Sequence, residues 1–209
     1  MTLTRSFDFR EIEGPITMSY WTWYDLEESY DYLYVEASRD NDRWEVLITS
    51  SGTPEDPVGN SFGWGYNGAS GGGESPRWIQ EQVDLSQFAG QEVTLRFEYV
   101  TDAEANGEGF LLDDLEIPQA GYFTDFEADT GGWEAQGFAR VQNILPQTYR
   151  VALIKQGNTT TVEKFALNGE NRLQILVDFR GGVNEIILVV SGTSRFTNQP
   201  ANYQYSLIK

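Results

Sequence analysis

The residues of this chain best equipped for chemistry are carboxylates gathered in three groups. Glu27, Glu28 and Asp31 form one, Asp102 to Glu108 a second, and the adjacent pair Asp113 and Asp114 a third. Hard divalent cations such as calcium take roughly 6–8 oxygen ligands, mixing carboxylates with backbone carbonyls. Acidic turns beside glycine-rich loops suit that mixture. Glu28, Asp31, Asp102, Asp113 and Asp114 are therefore the candidate metal ligands, with structural calcium as the expected ion. No segment has the spacing of an EF-hand loop. The bland alternative is that Asp113 bonds backbone amides or an arginine, and that the turn acids are solvated.

Other chemistry is excluded by composition. The 209 residues contain no histidine and no cysteine. That rules out a histidine-dependent triad, an H-E-x-x-H zinc site, a thiolate nucleophile and a disulfide framework. Paired carboxylates could in principle hydrolyse glycosides, but among 32 acids such pairs arise by chance. The net charge is −18. Residues 1–118 hold 24 acids against six arginines, while residues 119–209 balance eight of each. Excess acid argues against a nucleic-acid partner. No apolar run approaches the roughly 18 residues of a membrane span. No signal peptide precedes LTRSFDF, so an exported protein would here be represented by a mature piece or a fragment.

The elements that must position these acids read as strands. In the stretch 91–117, Val93, Leu95, Phe97 and Tyr99 alternate with polar residues, the period of a half-buried strand. The same alternation in GFLLDDLEI places Leu111, Asp113, Leu115 and Ile117 on one face, which would leave a carboxylate among apolar neighbours. Such a group needs a cation or a hydrogen-bonded partner. Upstream, TRSFDF (4–9), PITMSYWTWYD (15–25), DYLYVEAS (31–38), RWEVLITS (43–50) and RWIQEQVDL (77–85) are further strands. In the second of these Trp21 and Trp23 face away from Tyr20, Thr22 and Tyr24.

Residues 51–76 break the rhythm with a long Gly/Ser/Pro-rich loop carrying Phe62, Trp64 and Tyr66. Its aromatics either fold back on the sheet or line a binding surface. Trp64 and Tyr66 are the candidate ligand-binding residues of a carbohydrate-binding reading, with Trp21, Trp23 and Trp78 as further stacking faces. After Ile117 the chain either adds one or two strands or links onward, and DFEAD resembles an edge strand. From about residue 144 five strand candidates follow: TYRVALIK, TTTVEKFAL, RLQILVDFR, NEIILVVSG and YQYSLIK. Ile186 to Val190 has the continuous apolar character of a central strand. The expectation is an all-β chain, an acidic jelly-roll-like sandwich over 1–142 followed by a small β-sandwich over 143–209.

Several pieces in order carry a family resemblance. YVTD with GFLLDD, then GGWEAQGFARVQNILPQTYRVALI, then VVSGTSRFTNQPANYQYSL resemble the non-catalytic region of the immune-inhibitor-A family of secreted bacterial metallopeptidases. The resemblance covers most of the chain. It implies downstream β-domains, often calcium-bound, that accompany a zinc-protease domain. With no histidine here, it implies an accessory region rather than a peptidase. It further implies an extracellular location, a catalytic domain in the parent protein, and a protein or glycan surface as a partner.

Overall fold

A computed structural model describes every residue of the chain except 143, 198 and 209. The chain is all-β, and its contacts divide it into two units, Met1–Arg140 and Val141–Lys209.

The first unit is a sandwich of two antiparallel sheets. Strands β1 (Thr2–Asp8), β2 (Thr17–Asp25), β3 (Tyr32–Ser38) and β4 (Glu45–Val46) come first. They are followed by β5 (Ile79–Asp84), β6 (Glu92–Val100), β7 (Gly109–Ile117), β8 (Tyr122–Thr124) and β9 (Glu134–Gln136). One sheet has the order β4-β3-β6-β1-β9 and the other β5-β2-β7-β8. Strand alternation decides what enters the core. From β2 it is Met18, Tyr20 and Tyr24 that are buried; from β6 it is Val93, Leu95 and Phe97. Phe97 meets Tyr20 edge-on at 5.2 Å between ring centroids. Trp133, just before β9, packs 5.6 Å from the same ring. The apolar faces of both sheets thus share one core, as a sandwich requires.

Two expectations are corrected in this unit. The strand read from RWEVLITS shrinks to Glu45–Val46. DFEAD is not an edge strand: residues 125–129 turn, and the short strands β8 and β9 flank them. The stretch after Ile117 therefore closes both sheets, β8 adding to β7 and β9 to β1.

The second unit holds one antiparallel sheet among the described residues. Strands β10 (Tyr149–Gly157), β11 (Thr161–Phe165) and β12 (Val183–Gly192) take the order β11-β10-β12. The segments at 172–180 and 203–208, which read as strands in sequence, form none. The apolar run 186–190 lies on an edge strand rather than a central one, and Ile187, Leu188 and Val189 are exposed.

Candidate cation site

Three of the acidic residues meet where the ends of the two sheets come together. Strand β2 of one sheet ends at Asp25, and the chain turns through Glu27–Asp31 into β3 of the other. The turn closes with the Asp31 N–H donating to the Glu27 carbonyl at 3.0 Å. Ser29 takes a left-handed φ of 72° to make it. Asn67, from the long loop, braces the turn from outside: its amide donates to the Asp31 carbonyl at 2.8 Å and its Oδ1 accepts the Ser29 N–H at 3.0 Å. Strand β3 pairs with β6 so that Tyr32 lies opposite Val100. That register carries Asp102 alongside Asp31, although the two are far apart in sequence.

Carboxylate oxygens of Glu27, Asp31 and Asp102 lie within 4.8 Å of one another. Two oxygens that each sit about 2.4 Å from one calcium ion can be no more than about 4.8 Å apart, so the spacing fits that ion. Asp31 is 0% exposed. Its Oδ2 accepts the Tyr99 hydroxyl at 3.0 Å and its Oδ1 the Asp102 N–H at 3.2 Å. Each carboxylate oxygen still has acceptor capacity left after one such bond. Glu27 Oε2 is buried with no hydrogen-bond partner among the described residues. Burial pushes the Glu27 carboxyl above its ordinary range, and the charges of Asp102, Asp31 and Glu104 push it in the same direction. Tyr99 is raised too, first by burial and then by the Asp31 charge. An orphaned buried oxygen among repelling carboxylates is the condition that a hard cation relieves. The loop after β6 then returns against the end of β2, where Gly107 fits because a Cβ would stand 2.1 Å from the Asp25 carbonyl oxygen.

The other sequence candidates lie elsewhere. Glu28 is exposed and does not join the cluster. Glu27 joins Asp31 because the turn between them closes with the Asp31 N–H on the Glu27 carbonyl, a closure that the spacing of acids in the sequence does not reveal. Asp113 and Asp114 are on β7 and do not join the cluster. The strict alternation read through GFLLDDLEI is broken by a bulge. Ser19 pairs with Glu116 while Trp21 pairs with Asp113, so Tyr20 faces two residues of β7. Asp114 carries the bulge at a φ of 46°, and the extra residue flips every side chain beyond it. Phe110 and Leu112 therefore pack on the core with Leu115 and Ile117, and Asp113 faces outward beside Trp21. Burial, then Asp114, Glu127 and Asp125, hold the Asp113 carboxyl above its usual range, against a lowering by the Asp114 N–H.

Trp64 and Tyr66 do not form an open stacking pair. Tyr66 is 1% exposed and shares a 2.6 Å hydrogen bond with the Tyr20 hydroxyl inside the core. The Trp64 indole donates to the Thr49 carbonyl at 3.1 Å. Phe62 stacks on Tyr34 at 5.6 Å. The long loop thus covers Tyr34 on the outer face of β3, while Arg96 covers Glu36 further along the strand.

Comparison with known proteins places this architecture. Residues 1–143 match the family described as immune inhibitor A-like, MAM domain. Pre-pro-metalloprotease PrtV of Vibrio cholerae is 31% identical over 126 residues, covering 59% of this chain and 13% of that protein. Immune inhibitor A of Bacillus thuringiensis is 35% identical over 109 residues, covering 52% of this chain and 14% of that protein. Bacillopeptidase F of Bacillus subtilis is 26% identical over 103 residues, 49% of this chain and 6% of that protein. The match therefore spans about a seventh or less of each relative, and it falls in their non-catalytic regions. Among the described residues no helix is long and apolar enough to cross a membrane.

Proposed function

This chain belongs to the immune inhibitor A-like MAM domain family, and on that premise we propose that it is a non-catalytic accessory region of a larger secreted peptidase. Its first sandwich is held rigid by calcium bound through Glu27, Asp31 and Asp102. The single observation that supports the reading is the convergence of these three carboxylates on a fully buried Asp31. The ion would supply the positive charge that the cluster lacks and tie two chain segments together: the turn into β3 and the loop after β6. The division of labour follows the chain, with an acidic sandwich over 1–142 and a smaller β-domain over 143–209. The protein works outside the cell, positions a catalytic domain of its parent and performs no hydrolysis itself.

Thermal unfolding in EDTA and in calcium tests the reading. Calcium at about a hundred times its dissociation constant stabilises a folded state by about 2.7 kcal/mol. For a domain of this size that is a rise in Tm of roughly 5–10 °C. The rise is expected in the natural sequence and not in Asp31→Asn, which keeps the side-chain shape and removes the charge. An equal Tm in EDTA and calcium overturns the calcium assignment.

A further inference from the structure

The outer face of the sheet β5-β2-β7-β8 combines aromatic surface with uncompensated acid. Outward residues of neighbouring strands fall into rows. Gln80, Trp21 and Asp113 make one row, and Gln82, Ser19, Glu116 and Phe123 another. Trp23 is opposite Leu111 in the next row along β2, and Trp78 immediately precedes β5. Rows of this kind lie roughly 7 Å apart along the strands, with neighbours about 4.8 Å apart across them. Trp21 and Trp23 thus share the outer face of β2, with Trp78 at the entry to the neighbouring β5. Trp21 is 38% and Trp78 45% exposed.

The charged side chains in these rows are carboxylates. Asp113 and Glu116 stand in the rows, Asp114 is at the bulge beside them, and Asp125 acts on Asp113 from the next loop. Among the described residues none of these four forms an ion pair with lysine or arginine. Arg77, next to Trp78 in sequence, donates to the Gly71 carbonyl, and Arg140 donates to the carbonyls of Phe126 and Glu127. The opposite sheet differs, since Arg96 there pairs with Glu36 and Glu98 and stacks over Trp44 at 3.9 Å. In that arrangement a guanidinium satisfies both carboxylates and an indole. The β5-β2-β7-β8 face has the carboxylates and the indoles without the guanidinium.

We propose that this face is a docking surface for a basic polypeptide, whose arginine or lysine side chains lie over Trp21, Trp23 and Trp78 and pair with Asp113 and Glu116. Cations are attracted to indole faces, and tryptophan is enriched in the residues that carry binding energy at protein interfaces. A neutral glycan would also stack on indoles but would leave the carboxylates without counter-charge. The proposal is independent of the calcium site, so it is tested with that site saturated.

Isothermal titration of the full chain with a deca-arginine peptide in 1 mM calcium, with deca-glutamate as control, gives the test. Trp21→Ala/Trp78→Ala and Asp113→Asn/Glu116→Gln are each expected to weaken deca-arginine binding about tenfold. Glu55→Gln/Asp56→Asn, which removes the same charge from the long loop, is expected to change it less than about twofold. Equal weakening in all three double variants, or none in the tryptophan variant, means diffuse attraction and overturns the proposal. Binding of cellohexaose that is lost in the tryptophan variant while deca-arginine binding persists overturns it in favour of a glycan. If the alanine variant does not fold, Trp21→Leu/Trp78→Leu carries the same expectation, because leucine keeps apolar area and lacks the π face.

Discussion

Replacing Glu81 probes how the long loop is fastened to the sandwich. Glu81 is on β5, 0% exposed, with its side chain directed into the core. Its Oε2 accepts the N–H groups of Ser50 and Ser51 at 2.9 and 3.2 Å, at the point where the chain leaves β4 for the loop. Its Oε1 has no hydrogen-bond partner among the described residues. Glu81→Ala removes the acceptor of two N–H groups and opens a cavity. Each unsatisfied partly buried donor costs about 1–3 kcal/mol, so the two together give an expected loss of about 2–6 kcal/mol, a fall in Tm of roughly 6–20 °C. Glu81→Gln keeps an acceptor for the same N–H groups and removes the charge, so its expected cost is below about 1 kcal/mol. A second readout is spectroscopic. Tyr24 is pushed up to about 12, first by burial and then by the Glu81 charge. Glu81→Gln should therefore lower the Tyr24 pKa, observed by ultraviolet titration of the phenolate. Equal stability losses in the two variants would refute the hydrogen-bond argument, and an unmoved Tyr24 titration would refute the electrostatic one.

Two further outcomes are expected. Asp8 is lowered to about 2 by the Arg10 side chain and N–H, so the stability from this pair is full above the usual carboxylate range and is lost as pH falls through about 2; Arg10→Ala should return the Asp8 titration toward 3.8 in an NMR pH series. Gly107→Ala puts a Cβ against the Asp25 carbonyl and should cost about 1–3 kcal/mol while reducing the calcium-induced rise in Tm, with unchanged melts in both conditions refuting the close approach.

Much of the first sandwich was legible because its strands alternate. In β2 the inward set Tyr20, Thr22, Tyr24 and the outward set Trp21, Trp23 follow from the two-residue period alone. The cation cluster was legible in part. Asp31 and Asp102 flank strands whose pairing brings their ends together, but choosing Glu27 over Glu28 needed the conformation of the turn. Asp113 was misplaced because a bulge inserts a single residue, and Asp114 gives no glycine-like sign of its left-handed φ. In the second unit, the clean alternation of Leu173, Ile175, Val177 and Phe179 produced no strand, because alternation sets which way side chains point and not whether a partner edge exists.

By itself, the sequence determined the all-β class, the concentration of acid in the first part and the absence of histidine and cysteine chemistry. These depend on composition and on local period, which need no partner to be read. Tertiary structure alone decided that Tyr66 is core rather than surface, that Glu81 anchors a loop, and that Glu27 joins Asp31 and Asp102. Each of those depends on contacts between residues distant in the chain, fixed only when two sheets with one particular register close on a common core.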